Sequence, residues 1–213
     1  MQIELRNLGK RFNRQWIFRK LDFKFTSGNA YAIVGPNGSG KSTLLQVIAG
    51  AVEKSEGEVN WTMNSQILTP DVHYKQLSIA APYLELIEEL TLFEFLNFHQ
   101  SFKPFLDGYL VADIIDTLGL KEAANKQIRN FSSGMKQRVK LAQAIFTKTA
   151  VVMLDEPTSN LDLEGIALYN RLLATHCQQR LLIICSNDEA EIKICSHRLA
   201  VNEFHYQVNG TAG

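Results

Sequence analysis

The chain lacks an excess of charge of either sign. Lysine and arginine together number 22, aspartate and glutamate also number 22, and the formal net charge at pH 7 is zero. Proteins that bind nucleic acid without sequence preference usually carry a broad basic surface. The charge balance excludes such a surface and leaves only a local basic patch as an alternative, so we expect no nucleic-acid partner.

Paired cysteines are also missing. The chain has only Cys177, Cys185 and Cys195, an odd number without a C-x-x-C pair. Small secreted domains instead show even sets of cysteines at regular spacing, and many redox and metal sites use C-x-x-C. We therefore expect reduced thiols in the core of a cytoplasmic protein.

Long apolar runs are absent as well. The longest stretches, such as Leu181–Cys185, are about five residues, whereas a membrane-spanning helix needs roughly twenty. Residues 1–12 carry several charges and contain no apolar segment of signal-peptide length. We expect a protein that stays in the cytoplasm and reaches the cytoplasmic face of a membrane only through a partner that supplies the anchor.

What the sequence does contain is a series of strand patterns. Apolar and polar residues alternate around Ile3 and Leu5 and again at 21–25, which predicts half-buried antiparallel strands. Continuous apolar runs at Ala30–Val34 and Leu181–Cys185, and another at 150–154, predict strands buried on both faces of a parallel sheet.

Helical patterns lie between these strands. Residues 42–49 and about 164–177 are predicted helices, and the first of them ends at Gly50. Residues 83–126 have helical spacing of apolar side chains, interrupted at Pro104. Strands that alternate with helices favour a mostly parallel sheet covered by helices. The tail at 198–208 alternates weakly and predicts a terminal strand pair.

A glycine-rich loop follows the first buried strand and precedes a helix. Its residues are Gly35, Pro36, Asn37, Gly38, Ser39, Gly40, Lys41 and Ser42. They match G-x-x-x-x-G-K-[ST] in the structural context that this motif requires. Glycines let successive N–H groups point at phosphate oxygens, and the helix adds the positive end of its dipole. The loop predicts a nucleotide site, against the alternative of a glycine-rich turn with a surface lysine.

Three side chains at the end of this loop have predicted roles. Lys41 is expected to reach the β and γ phosphates, and the Ser42 hydroxyl to bind Mg²⁺. Thr43, the next residue, is also expected to contact the nucleotide.

Two acids follow the predicted strand 150–154. Asp155 and Glu156 lie at the carboxyl end of this strand, where ligands bind in open α/β sheets. Given the phosphate loop upstream, we predict that Asp155 holds Mg²⁺ and that Glu156 orients or deprotonates the water that attacks the γ phosphate. Without that loop, the same pair is more typical of a solvated loop start.

A further motif lies between the two sites. Residues 131–138 read Phe-Ser-Ser-Gly-Met-Lys-Gln-Arg, and residues 159–162 read Ser-Asn-Leu-Asp. The first resembles the L-S-G-G-Q signature of ABC ATPases followed by Q-R, and the second resembles their D-loop. The order of the motifs is similar to that of ABC ATPases, over nearly the whole chain, and differs from that of kinases, GTPases and helicases. The sequence most resembles the nucleotide-binding subunit of an ABC transporter.

The resemblance implies an α/β fold of the P-loop NTPase class. It has a RecA-like core with a mostly parallel sheet, an N-terminal antiparallel β subdomain, and an inserted helical subdomain at about 83–140. The resemblance also implies that residues 1–213 form a single ABC-type ATP-binding domain with ATP and Mg²⁺ as its cofactors.

The family resemblance also implies partners. Two subunits would form a head-to-tail dimer, as a homodimer or as a heterodimer with another ATP-binding subunit, and bind a transmembrane permease subunit. Ser132 and Gly134 would contact the ATP of the opposite subunit, although a plain serine N-cap is the alternative. Phe12 would stack on adenine, with Trp16 as a second candidate, or either would be a core aromatic. Phenylalanines between 93 and 105 would dock the permease or form the core of the helical subdomain.

The chain departs from the family pattern in three places. The signature has Ser133 for glycine and Met135 for glutamine, Pro82 lies where the Q-loop glutamine is usual, and Asn187 replaces the switch histidine. Asparagine can donate a hydrogen bond to a γ phosphate but carries no charge. Nucleotide binding is therefore better supported than fast hydrolysis, while Glu156 indicates that turnover is retained.

We expect an ATPase that energises transport, with Lys41, Glu156 and Asn187 as its catalytic residues and a rate that the sequence leaves open. The first alternative is an ATP-gated dimerisation or regulatory module with negligible turnover. The second is a soluble ABC-like protein that acts on nucleic acid or ribosomes, although such proteins usually carry paired modules or long coiled coils.

Overall fold

The computed structural model describes residues 1–204 and contains two sheets. The strands of the first sheet are β1 (Gln2–Phe12), β2 (Gln15–Thr26), β4 (Glu56–Met63) and β5 (Gln66–Ile67). They are antiparallel, in the order β2-β1-β4-β5, and Ile3 pairs with both Phe25 and Trp61. The prediction of antiparallel strands at the start of the chain is confirmed.

The second sheet is parallel and five-stranded. Its strands are β3 (Ala30–Val34), β6 (Leu77–Ala80), β7 (Val151–Asp155), β8 (Leu181–Cys185) and β9 (His197–Ala200). They lie in the order β6-β7-β8-β3-β9, and all pairs are parallel. The carboxyl ends of β3, β7 and β8 therefore meet at one edge, which is the edge where all the predicted catalytic residues lie.

Helices connect the strands. They are α1 (Lys41–Ala49), α2 (Pro70–His73), α3 (Leu92–Phe102), α4 (Val111–Thr117), α5 (Ser133–Phe146), α6 (Leu163–His176) and α7 (Glu189–Ile192). Gly50 ends α1 in the left-handed conformation at φ 76°, as glycine after a helix commonly does. A capping box of Thr91 and Glu94 starts α3.

Some predicted boundaries need correction. The strand predicted at 150–154 is shifted by one residue, and α6 begins at Leu163 because Asp162 caps it through the N–H of Gly165. The predicted strand pair in the tail is wrong over the described part. There β9 pairs in parallel with β3, and a 3₁₀ turn follows at Val201–Phe204, because Leu199 and Val201 are buried against the core. Residues 205–208 lie outside the described part.

The parallel sheet is buried on both faces. Along β7, Val152 and Leu154 pack with α3–α6, whereas Val151 and Met153 pack with α1 and the antiparallel sheet. Alternate side chains of a strand point to opposite faces, so a strand covered on both faces is apolar throughout. The α/β fold class, with a parallel sheet, an antiparallel sheet and helices, is confirmed.

Helices α3 and α4 pack together with α5, on the face of the sheet opposite α1. That residues 83–140 form a separate subdomain inside a single domain of 1–213 stays a prediction. Of the phenylalanines in this region, Phe95 and Phe105 are buried core residues. Phe93, Phe98 and Phe102 are exposed, Phe102 by 72%. The interpretation as core residues is therefore confirmed for Phe95 and Phe105, and permease docking by the exposed phenylalanines stays a prediction.

No helix within residues 1–204 combines the length and the apolar character that crossing a bilayer requires.

Candidate nucleotide site

The glycine-rich loop connects β3 to α1 and is built on left-handed backbone. Gly35, Gly38 and Gly40 have φ values of 147°, 79° and 95°. At Gly40 an added Cβ would also lie 2.2 Å from the Ile17 side chain. Only glycine adopts such conformations without strain, and only glycine fits against Ile17. The sequence therefore folds this loop into the predicted curl, and Lys41 is the first residue of the helix.

Lys41 is buried inside the curl. Its Nζ donates to the carbonyl oxygens of Gly35 at 2.7 Å and Pro36 at 3.3 Å. The ammonium is therefore held by the loop's own backbone, next to the N-terminus of α1 with its positive dipole end. The Ser39 hydroxyl is also buried here, and its oxygen has no hydrogen-bond partner within residues 1–204. A buried cation and a buried hydroxyl suit the recognition of a phosphate.

Asp155 ends β7 beside Ser42. It is 2% exposed, and burial raises the pKa of its carboxyl, with a smaller rise from Glu156, while a hydrogen bond from Ser42 opposes the change. Among the described residues, its Oδ1 has no hydrogen-bond partner. A hydroxyl and a carboxylate oxygen are the hard ligands that Mg²⁺ prefers. The residues present therefore fit a Mg²⁺ ion, which would supply a partner for the orphaned oxygen.

Glu156 follows with an exposed side chain and a left-handed backbone at φ 45°. Its N–H donates to the carbonyl oxygen of Cys185 at 2.9 Å, which ties the end of β7 to β8. Left-handed backbone is uncommon for a residue with a side chain and occurs often at functional sites. Glu156 and Lys41 line the same cavity of about 220 Å³, together with Ile17, Asn37, Gly38, Gly40, Ser42 and Thr43.

Asn187 lies directly against the phosphate loop. Its Oδ1 accepts from the N–H of Gly35, and its Nδ2 donates to Oδ1 of Asn37, both at 3.2 Å. The side chain therefore joins the segment after β8 to the loop after β3 by neutral hydrogen bonds.

The signature-like segment begins α5 in a different place. The hydroxyl of Ser132 caps the helix by accepting from the N–H of Met135 at 3.3 Å, so the N-cap prediction is confirmed. A Cβ on Gly134 would lie 2.9 Å from the carbonyl oxygen of Asn160, which makes glycine necessary there. Neither Ser132 nor Gly134 is among the residues that line the phosphate-loop cavity.

The two candidates for adenine stacking lie near the β1–β2 hairpin. Phe12 is 49% exposed, with the Lys10 ammonium 4.6 Å from its ring centre, so its interpretation as a core aromatic is wrong. Trp16 is partly buried, and the Arg19 guanidinium lies 4.4 Å from its ring. The adjacent Ile17, which no sequence motif marks, is the hairpin residue that lines the cavity.

Two further polar residues near the site were missed by the sequence motifs. Burial raises the pKa of Tyr83 to about 12, the nearby Asp155 carboxylate adds to the rise, and a hydrogen bond with Gln46 opposes it. Gln46 lies one turn along α1 from Ser42, so helical spacing would have found it. Tyr83 follows Pro82, and only the fold brings it to Asp155.

Clusters of acidic, histidine and cysteine side chains that could hold a metal ion are absent from the described chain. Within residues 1–204 no group of three or more His, Cys, Asp or Glu side chains could hold a metal ion, and Cys177, Cys185 and Cys195 are all free thiols. His205 lies outside the described part.

The comparisons with known proteins agree with this geometry. A family model described as ABC transporter matches residues 18–159. YybJ of Bacillus subtilis (strain 168), an ABC transporter ATP-binding protein, is 30% identical over 203 residues, which are 94% of this chain and 92% of that protein. The cytochrome c biogenesis ATP-binding export protein CcmA of Aliivibrio fischeri is 27% identical over 187 residues, 88% of this chain and 92% of that protein.

The solved structures show the same fold. The ATP-binding subunit of an ABC transporter superposes with a TM-score of 0.80 at 23% identity, over 96% of this chain and 86% of that chain. Proteins of this family are in general ATPases that work with transmembrane components. The family match, the relatives and the phosphate loop agree: this chain belongs to the ABC transporter family as an ATP-binding protein.

Proposed function

We propose that this chain binds Mg·ATP and hydrolyses it as the cytosolic energising subunit of an ABC transporter. The observation that carries the proposal is that three predicted catalytic residues lie at the phosphate loop. Lys41 is buried in the phosphate loop, Asn187 is hydrogen-bonded to it, and Glu156 lines the same cavity. Each of these residues comes from the carboxyl end of a different parallel strand, which places charge and hydrogen bonds around one reacting group.

Phosphate binding follows from the loop geometry. The backbone N–H groups of residues 38–43 and the N-terminus of α1 favour negative charge. On binding, the ammonium of Lys41 exchanges its bonds to the Gly35 and Pro36 carbonyl oxygens for stronger bonds to the β and γ phosphates. Because the lysine is already held in the curl, little side-chain entropy is lost in this step.

The Ser42 hydroxyl and the Asp155 carboxylate are the residues that would hold Mg²⁺. The ion would neutralise charge on the β and γ phosphate oxygens when bound. Burial disfavours the charged form of Asp155, so a cation near its orphaned oxygen would stabilise the ionised side chain.

The hydrolytic step is an in-line attack by water on the γ phosphorus, which breaks the bond to the β–γ bridging oxygen and releases ADP as the leaving group. Glu156 orients the water and accepts its proton, while Lys41 stabilises the charge on the phosphoryl oxygens. Asn187 would donate to the γ phosphate through Nδ2, which in the structure donates to Asn37 of the loop. The amide neither gains nor loses a net charge near pH 7, so its contribution is limited to hydrogen bonding.

We further propose that two subunits complete each site. Ser132 and Gly134 lie at the start of α5 and do not line the phosphate-loop cavity of their own chain. A second chain, oriented head to tail, would bring its α5 N-terminus to the γ phosphate, where backbone N–H groups and the helix dipole stabilise the anion. Met135 provides fewer polar contacts than the glutamine that is usual in the family, and Ser133 adds a side chain where glycine is usual.

This chain has an exposed apolar surface beside α3 that would suit a membrane partner. Phe98 and Phe102 are exposed and in contact, with ring centres 4.9 Å apart. Phe102, Leu84 and Lys103 line a cavity of about 330 Å³. Exposed apolar surface of this kind commonly marks a protein interface, and we assign it to the transmembrane component.

The proposal is tested by phosphate release from the purified chain with Mg·ATP. We expect turnover that stops when EDTA removes Mg²⁺ and that is lost in Lys41→Ala, while Lys24→Ala, an exposed lysine on β2, keeps the native rate. Tight ATP binding without phosphate release would contradict the proposal and support the alternative, a nucleotide-gated module. That alternative is favoured by Asn187 and Pro82, which lie where the family usually has a histidine and a glutamine.

A further inference from the structure

Glu191 is a buried acid that no motif of the sequence marks. It lies on α7, is 5% exposed, and has no lysine or arginine partner within residues 1–204. Burying a carboxylate without a counter-ion costs free energy. A carboxylate buried in this way can fix the position of the neighbours that it binds.

Among the described residues, the side-chain hydrogen bonds of the carboxylate all come from Thr158. Oε1 of Glu191 accepts from the backbone N–H of Thr158 at 2.7 Å and also from the Thr158 hydroxyl. Hydrogen bonds to a charged acceptor are roughly twice as strong as neutral ones. Thr158 lies two residues after Glu156, and the N–H of Ser159 donates back to the carbonyl oxygen of Glu156 at 3.2 Å.

The other end of Glu191 is fixed to the segment that carries Asn187. Its backbone N–H donates to the carbonyl oxygen of Asp188 at 3.0 Å. Its carbonyl oxygen accepts from the hydroxyl of the fully buried Tyr169 at 2.9 Å. Backbone and side chain of Glu191 therefore bind two different loops at the same edge of the sheet.

Both loops face one cavity. Glu156, Thr158, Asn187 and Glu191 line a space of about 340 Å³ with Asn37, Ser159, Ser186 and Asp188. Glu156, the proposed proton acceptor, and Asn187, the proposed hydrogen-bond donor, therefore line the same cavity as Glu191.

We propose that Glu191 is a positioning residue that clamps the Thr158 loop against the Asn187 segment, so that Glu156 and Asn187 face the γ phosphate in one fixed arrangement. This inference rests on the proposed hydrolysis. Within residues 1–204 no hydrogen bond joins Glu191 to the phosphate loop, so the clamp should affect the chemical step more than the binding of ATP.

The test compares Glu191→Gln with Glu189→Gln, a matched change on the exposed face of the same helix. Glutamine keeps the acceptor oxygen and the shape but removes the charge. We expect Glu191→Gln to lower kcat about tenfold or more while the KM for Mg·ATP changes less than about twofold. Glu189→Gln is expected to keep the native values. A kcat for Glu191→Gln within about twofold of native would overturn the inference.

A second pair of variants keeps the test decisive if Glu191→Gln does not fold. Thr158→Val removes the hydroxyl donor and Thr158→Ser retains it. We expect Thr158→Val to lower kcat about threefold or more, again at nearly unchanged KM, and Thr158→Ser to stay close to native. An equal loss of kcat in both variants would contradict the clamp, and so would a native kcat in both.

If the native chain shows no turnover, the proposed function is contradicted. The clamp is then tested by hydrogen exchange. We then expect the amide of Thr158 to exchange about tenfold faster in Glu191→Gln than in Glu189→Gln, because its acceptor is weaker. Equal exchange rates in the two variants would overturn the inference.

Discussion

The side-chain oxygen of Asn187 accepts a hydrogen bond from the backbone N–H of Gly35, so the segment after β8 is tied to the first residue of the phosphate loop. The amide group of the same side chain donates to Asn37. A neutral residue thus occupies the position where proteins of this family usually have a histidine, and it makes contacts that depend on both the donor and the acceptor of an amide.

This arrangement predicts a pH dependence for residue 187. Histidine titrates near pH 6.5, whereas asparagine does not titrate. We expect the pH–rate profile of the native chain to have no inflection from this residue, and Asn187→His to add one near about pH 6.5. Profiles of kcat for both chains between about pH 5.5 and 8.5 check the prediction. Identical profiles would mean that residue 187 does not contact the reacting group.

Removing the amide altogether has a separate expected effect. Asn187→Ala loses both hydrogen bonds to the phosphate loop and the donor to the γ phosphate. We expect kcat to fall about tenfold. Asn97→Ala, an exposed change on α3, should leave kcat unchanged, and steady-state kinetics of the two variants measure the difference. A native kcat in Asn187→Ala would show that the loop holds its shape without this side chain.

The phosphate loop also predicts a large stability effect at Gly40. Gly40→Ala places a Cβ 2.2 Å from Ile17 at φ 95°. Gly108→Ala is the matched control, because Gly108 has a similar φ of 86° but nothing within 4 Å of an added Cβ. We expect Gly40→Ala to lower the free energy of unfolding by about 2–4 kcal/mol and Gly108→Ala by about 1 kcal/mol. Urea denaturation of both variants tests this, and equal losses would mean that only the backbone conformation matters.

Much of the fold could be predicted from local patterns. The apolar runs at Ala30–Val34 and Leu181–Cys185 are strands with the predicted bounds, because a strand covered on both faces leaves little ambiguity. In the described part of the tail the prediction was wrong because Leu199 is buried by pairing with Ile33, a contact between residues far apart in the sequence. Alternation alone does not say which strand a segment pairs with.

The candidate site also has a part that the sequence predicts and a part that only the fold assembles. The phosphate loop and the acids after β7 are contiguous in sequence, so short motifs locate Lys41 and Asp155. Tyr83 and Glu191 come to the site only through the packing of distant segments, and neither belongs to a motif of fixed spacing. Ile17 was missed because its role is to fit against a glycine, which no residue type signals.

Asp155 predicts how stability changes with pH. Burial raises the pKa of its carboxyl in the folded state, so the charged form costs stability. This cost is absent below the unfolded value near pH 3.9 and is fully present above the raised folded pKa. Without Mg²⁺, Asp155→Asn should therefore have a higher melting temperature than the native chain at pH 7. Calorimetry with and without Mg²⁺ checks this, and a lower melting temperature at pH 7 would contradict it.

Arg180 predicts a stability effect away from the nucleotide. Its guanidinium is buried and donates to the carbonyl oxygens of Ile145, Thr147 and Thr149, at 2.6 to 2.9 Å. Arg180→Met would remove the guanidinium donors from these acceptors at the carboxyl end of α5, although the N–H of Thr149 would still donate to the Thr147 oxygen. We expect a loss of about 3 kcal/mol in the free energy of unfolding. Arg171→Met, on the exposed face of α6, should cost less than about 0.5 kcal/mol, and denaturant titrations compare the two.

The most direct test of the account is the hydrolysis of Mg·ATP by the native chain beside Glu156→Gln, with Glu122→Gln as an exposed control and light scattering in the same samples. The account predicts phosphate release by the native and control chains, and loss of release in Glu156→Gln together with an ATP-dependent dimer, because ATP binds but its γ phosphate is not removed. No phosphate release from the native chain, with tight ATP binding in all three, would contradict the central claim.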